Sequence, residues 1–282
     1  MAVIMVNGVT VNYTEHGSGE PVLMVMGTGS PGHVWELHQV PALVAAGYRC
    51  ITFDNPGLTP GRGAPAPTID EVVAVMAGLI RCLCGGKARL VGTSMGAHAV
   101  QELLVSHPDL AAGAVLMATR GRTDSFRTAL AAAEAEVYAG PAQPPARYLA
   151  VVKALQALSP RTLDDEAGVR GWLDVLEMFP VPLEVLRAQS RLEIMENRLE
   201  AYRRIRARCM IIAFADDLLT PPHLNREVAD AIESSRYELV ERCGHYGYLE
   251  RPDAVNALLI DFLRNCAKGG VISPVNDRSL CP

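Results

Sequence analysis

The sequence is short of several things, and each shortage removes a class of function. It has no excess of positive charge: 26 basic residues face 31 acidic ones, for a net charge of −5. A nucleic-acid surface needs a basic stripe that displaces counterions from phosphates, so no nucleic-acid partner is expected. No apolar run reaches the ~18 residues of a membrane span. The first residues, MAVIMVNGVTVNYTEHG, lack the charged start and apolar centre of a secretion signal. These features predict a cytoplasmic protein with no membrane partner. Aromatic residues make up only 5% of the chain, too few for a large aromatic cage around a ligand. The seven cysteines (Cys50, Cys82, Cys84, Cys209, Cys243, Cys266, Cys281) form an odd set without a Cys-x-x-Cys pair. No zinc site or disulfide framework follows from that spacing. Reduced thiols are expected, with Cys266 and Cys281 placed to pair only in an oxidising setting.

What is present is a chain of 282 residues, 49% apolar and 20% charged, a globular composition with material for a sizeable core. Short apolar, β-rich runs recur along it: Gly8 to Tyr13, Val22 to Met26, Tyr48 to Phe53, Ala88 to Val91, Ala112 to Met117, Cys209 to Phe214 and Tyr237 to Val240. Segments with helical spacing lie between them, such as Ile69 to Leu83 and Leu224 to Ile232. Strands alternating with helices imply a mostly parallel sheet with helices on both faces. The short turn at Gly17-Ser18-Gly19 places the first strands at an antiparallel edge. Residues 120–206 break the alternation with helical stretches jointed by prolines. Within them Ala188, Leu192, Met195, Leu199 and Tyr202 step along one helix face. The expected organisation is an α/β core from 1–119 and 207–265, a helical cap from 120–206, and a flexible tail from 266–282. A cap in that position covers the sheet edge where open α/β folds bind ligands.

The strongest chemical signal is Gly92-Thr93-Ser94-Met95-Gly96, directly after a strand and opening a helix. A serine on so sharp a turn needs small residues two before and two after it, because the backbone folds back on itself. The turn lifts the hydroxyl above the sheet, and the helix N-terminus favours developing negative charge there. A serine hydroxyl needs an oriented base. Of seven histidines, His245 in Arg242-Cys243-Gly244-His245 follows the last expected strand, where a loop can aim it at Ser94. His98 sits on the elbow helix and is expected to pack. His107 is expected as a surface residue at a helix end. His16, His33 and His38 fall in early loops or helix starts, where a substrate contact is open. The base needs a carboxylate to fix its tautomer. Asp216 and Asp217 both follow the strand Cys209 to Phe214, and the spacing to Thr220-Pro221 favours Asp217.

The elbow, together with the chain order Ser94, Asp217, His245, resembles the α/β-hydrolase superfamily. The likeness extends to Met26-Gly27-Thr28-Gly29, to Phe53-Asp54-Asn55-Pro56-Gly57, to Phe214 through Pro221, and to Gly244-His245 followed by Glu250-Arg251-Pro252. It implies an α/β-hydrolase fold of about eight mostly parallel strands with a helical cap. It also implies oxyanion donors in the backbone N–H groups of Thr28 and Met95. Three positions depart from the family pattern: Met26 for histidine, Pro56 for arginine and Phe214 for glycine. A Met-Gly loop of this kind resembles methylesterases and other tailoring hydrolases of actinobacterial natural products.

A serine, rather than an aspartate, at the elbow points to acyl chemistry. The expected function is a serine hydrolase acting on an ester or thioester of a moderately apolar small molecule in natural-product metabolism, with no cofactor and no metal. The alternatives are an acyltransferase drawing on a carrier thiol, or a lyase or cyclase on the same scaffold. The expected partner is a small-molecule or carrier-bound acyl substrate, and a homodimer stays open. Met26, Trp172, Met178, Phe179 and Met195 are the candidate pocket residues. The arginines of the cap region, Arg120, Arg122, Arg127 and Arg147 among them, are expected mostly at the surface.

Overall fold

The computed structural model describes residues 1–58, 67–140 and 144–266. Eight strands form one sheet: β1 (Ala2–Val6), β2 (Val9–His16), β3 (Glu20–Val25), β4 (Tyr48–Phe53), β5 (Ala88–Thr93), β6 (Ala111–Met117), β7 (Cys209–Phe214) and β8 (Ser235–Val240). Their order across the sheet is β1-β2-β4-β3-β5-β6-β7-β8. Both pairings of β2 are antiparallel, and all the others are parallel. The Gly17–Gly19 turn does not make a hairpin of β2 and β3, because β4 lies between them. β1 was not anticipated: its alternation leaves Val3 and Met5 exposed on an edge strand, so it carries no buried run to read.

The helices are α1 (Gln39–Ala45), α2 (Ile69–Leu83), α3 (Met95–Ser106), α4 (Ser125–Ala139), α5 (Ala146–Ala157), α6 (Pro160–Asp164), α7 (Glu166–Met178), α8 (Leu183–Gln189), α9 (Leu199–Tyr202), α10 (Pro222–Ala231), α11 (Gly247–Glu250) and α12 (Pro252–Cys266). α2 starts at a capping box, in which Thr68 Oγ1 accepts from Glu71 N–H and the Glu71 carboxylate accepts from Thr68 N–H. Its apolar stripe, with Val72, Val75, Met76 and Leu79, packs with α3 on one face of the sheet. α1 and α12 cover the other face, where Val22, Met24, Val91 and Ile212 meet Leu43, Leu259 and Trp35. Strands buried on both faces read as continuous apolar runs, and each such side chain removed from water contributes about 1.5–3 kcal/mol.

Helices α4 to α9 all fall between β6 and β7. The single helix face expected from Ala188 to Tyr202 is not formed. α8 ends at Gln189, a 3₁₀ turn spans Ser190–Glu193, and α9 begins only at Leu199. Leu192, Met195 and Tyr202 are nevertheless all buried in one cluster. Their spacing reports burial of an irregular segment, not a continuous helix. The expected tail from 267 onward lies outside the described residues. Cys50, Cys84, Cys209, Cys243 and Cys266 are free thiols, so Cys266 is not a disulfide partner. Cys82 is disulfide-bonded, which corrects the expectation of reduced thiols at that position. Among the described residues no helix is long and apolar enough to cross a membrane.

Candidate active site

Strand β5 ends in a turn that constrains its own sequence. Ser94 takes φ 55° and ψ −123°, a conformation that an L-residue holds only when its surroundings fix it. Its N–H donates to the Met117 carbonyl (3.0 Å), and its carbonyl accepts from the His98 N–H (3.1 Å). The flanking glycines are sterically required. A Cβ on Gly92 would lie 2.7 Å from the Gly96 carbonyl oxygen, and one on Gly96 would lie 2.3 Å from the Val25 carbonyl oxygen. Ser94 occupies the N-cap position of α3, yet its side chain makes no capping hydrogen bond. The residue lines a cavity of about 1220 Å³ between the sheet edge and the helices of residues 120–206.

Asp217 follows β7 on a tight turn and is 2% exposed. Its four acceptor sites are filled. Oδ1 accepts from the N–H groups of Leu219 (2.8 Å) and Thr220 (2.9 Å), and Oδ2 from the Thr220 hydroxyl (2.7 Å) and His245 Nδ1 (2.9 Å). Its neighbour Asp216 is only half-buried. A carboxylate held by three local donors cannot rotate away from the imidazole, so Nδ1 keeps the proton and Nε2 is left as acceptor. His245 comes from the loop after β8 and lines the same cavity as Ser94.

That loop is itself anchored. Glu250 Oε2 accepts from the Gly244 N–H (2.6 Å), while Oε1 accepts from the Ser159 N–H (2.9 Å) and hydroxyl (2.8 Å) at the start of α6. The Tyr246 N–H donates to the Ala157 carbonyl (2.9 Å). Cys243, two residues before His245, is fully buried, and burial pushes its thiol up to about 12, so it stays protonated and cannot compete as a nucleophile. Tyr248 also lines the cavity, and burial holds its phenol well above the ordinary value.

The other histidines sort by position. His33 and His38 line the cavity, whereas His16 sits 3.1 Å from Glu36 and His98 sits 3.8 Å from Glu102. His107 is half-buried beside Ser106, and His223 is exposed at the start of α10. Thr28 lines the cavity next to Gly27. Met95 is the first residue of α3, so its backbone N–H belongs to the free end of the helix.

Of the candidate pocket residues, Trp172, Met178 and Phe179 line the cavity. Met26 does not. It continues the β3 face of Val22 and Met24, is fully buried, and packs in the core beneath α1. Met195 is also corrected, being buried in the cluster with Leu192 and Tyr202, away from the cavity. Two arginines depart from the surface expectation: Arg120 and Arg127 are 7% and 5% exposed and both line the cavity. Arg122, half-exposed, is paired with Glu227, and Arg147 is exposed. Thr220, Gln189 and Glu250 had drawn no attention as site residues: Thr220 acts through Asp217 three residues before it, whereas Gln189 and Glu250 also reach residues 91 to 160 positions away, a distance that no local pattern encodes. Among the described residues no cluster of His, Cys, Asp and Glu could hold a metal ion.

Comparison with known proteins agrees with this architecture. Residues 16–258 match the model of a family described as the alpha/beta hydrolase family. A Mycobacterium tuberculosis protein bearing the provisional name non-heme bromoperoxidase BpoC is 45% identical over 90% of this chain and 97% of its own length. Its crystal structure superposes with a TM-score of 0.88, covering 92% of this chain and 97% of that one. The 2-hydroxy-6-oxo-6-phenylhexa-2,4-dienoate hydrolase of Comamonas testosteroni is 25% identical over 90% of this chain and 91% of that protein.

Proposed function

The chain belongs to the alpha/beta hydrolase family, and within it we propose a serine hydrolase that cleaves an ester or thioester of a moderately apolar small molecule. The observation carrying this reading is the pairing of His245 with a fully satisfied Asp217 on the cavity that also receives the strained Ser94. His245 Nε2 takes the Ser94 proton as Oγ attacks the acyl carbon. The backbone N–H groups of Met95 and Thr28 receive the oxyanion, each supplying roughly 3 kcal/mol of transition-state stabilisation. His245 then returns the proton to the leaving alcohol or thiol, and water discharges the acyl-enzyme by the reverse sequence. The cavity walls, rich in Leu, Val and Pro with Trp172 and Phe179, favour an acyl group with an apolar body.

The names of the relatives do not lead to natural-product metabolism, and that part of the expectation is dropped. The test is labelling with a serine-directed fluorophosphonate, with the modified residue identified by mass spectrometry beside a His245→Ala control. Modification at Ser94 in the parent alone is expected. Modification elsewhere, or equal modification in the control, overturns the proposal. An acyltransferase would differ in one respect: water alone would leave the acyl-enzyme undischarged until an acceptor is added.

A further inference from the structure

The loop that follows β3 carries Thr28, and the structure shows what holds that loop. At its near end the Asn55 side-chain N–H donates to the Met26 carbonyl (2.7 Å). The turn itself closes through the Ser30 N–H and the Gly27 carbonyl (3.3 Å). Its far end is held from above, by a residue of the helices between β6 and β7. Gln189, the last residue of α8, has no exposed surface. Its Oε1 accepts from the Gly29 N–H at 2.7 Å, and its Nε2 donates to the Pro56 carbonyl at 2.9 Å. One amide therefore bridges the loop after β3 to the loop after β4. Its methylene packs close to Gly57, where an added Cβ would lie 3.3 Å from Gln189 Cγ. Val181, three residues past Met178 at the end of α7, covers Gly29 from the same side.

We propose that Gln189 is a positioning residue for the oxyanion hole: it orients the peptide units beside Thr28, so that docking of α8 and assembly of the hole are one event. The inference rests on the serine-hydrolase reading above. The amide suits the task because it presents an acceptor and a donor in a fixed plane, matching an N–H on one loop and a carbonyl on the other. A buried group with both ends satisfied is rigid, and the loss of either bond leaves an unpaired backbone group that the loop must move to satisfy. Oxyanion stabilisation depends on donors fixed before the reaction, so a shift of a fraction of an ångström registers in the chemical step rather than in binding.

The experiment compares the full-length parent with Gln189→Met, which keeps the length and removes both polar ends, and with Gln189→Glu, which keeps an acceptor for the Gly29 N–H. Turnover of p-nitrophenyl butyrate is measured per active site, the sites being counted from the end point of phosphonate titration at Ser94. Inhibition by butylboronic acid, whose tetrahedral adduct on a serine presents an oxygen to the hole, is measured alongside. For Gln189→Met, kcat is expected to fall roughly 10- to 100-fold with KM within about threefold, and boronate affinity to fall by a similar factor, while Gln189→Glu recovers part of both. An unchanged kcat overturns the inference. So does a rise in KM alone, a fall in kcat without loss of boronate affinity, or a glutamate variant no better than the methionine one. Parent protein that takes no phosphonate at Ser94 overturns the serine-hydrolase reading and this inference with it. Normal labelling with an unaltered Gln189→Met variant overturns this inference alone.

Discussion

The sheet edge and the helices above it are built by different rules. At the edge, Ser94, Asp217 and His245 sit on turns whose backbone is fixed by strand register, by glycines with no room for a Cβ, and by filled hydrogen-bond shells. Above it, α4 and α5 bury little beyond alanines (Ala131, Ala150, Ala154, Ala157), while Phe126, Tyr148, Leu155, Met178 and Phe179 are exposed. Alanine at a helix contact permits close approach but supplies little apolar area. The chemistry is thus assigned to a rigid frame, and the cavity's shape to a lightly packed roof. Local stability differences of that kind are where substrate entry and adaptation concentrate.

This contrast can be broken at either level. Ser94→Ala should give the largest effect, a loss on the order of 10⁶ in kcat with an unchanged melting temperature; steady-state assay and thermal unfolding check both halves. Asp217→Asn should cost about 10⁴ in kcat, because an amide can present a donor to His245 Nδ1 and reverse the tautomer. Retention of more than a tenth of parental turnover would show that the pairing is incidental. On the roof, Trp172→Ala should act mainly through KM, raising it about tenfold for longer acyl chains, since a lost wall removes binding shared by ground and transition states. A comparable fall in kcat would mean that the roof takes part in the chemical step.

The seam between the two regions has its own test. Glu102 on α3 accepts two bonds from Arg198 (3.0 and 2.7 Å) and one from the Tyr202 hydroxyl (2.9 Å). Burial alone raises its carboxyl, but the hydrogen bonds and the Arg198 charge outweigh that and hold it below the ordinary value. A folded-state value below the unfolded one means stability that is complete above an ordinary carboxylate pKa of about 4.3 and is lost as the pH falls from there through the lower folded-state value. Glu102→Gln should therefore cost about 2 kcal/mol at pH 7, with the gap to the parent narrowing below about pH 4 in melting curves. The smallest effect is expected from Phe179→Ala, which should shift stability by less than about 0.5 kcal/mol, because the ring is 72% exposed.

Legibility in the sequence followed the same division. The buried strands announced themselves as apolar runs, and the elbow did so because its geometry tolerates only small residues at Gly92 and Gly96. Asp217 was separable from Asp216 by its spacing to Thr220. The roof was read correctly as helical but wrongly in detail. The step from Ala188 to Tyr202 mimicked a helix because an irregular buried segment can place apolar residues at similar intervals. Met26 was assigned to the cavity from its place in the Met-Gly loop and Met195 as an apolar residue of the helical region, and packing turned both away from it.

By itself, the sequence determined the order of the buried strands and their alternation with helices, the strained serine turn, and which imidazole and carboxylate follow the last two strands. These are local matters of backbone sterics and alternation of side chains. Only the tertiary structure decided that β4 separates β2 from β3, that Arg120 and Arg127 turn inward, and that Gln189 reaches two loops more than 130 positions away in the chain. Contacts of that kind exist only once separate segments share a surface, and nothing in the neighbouring residues is obliged to record them.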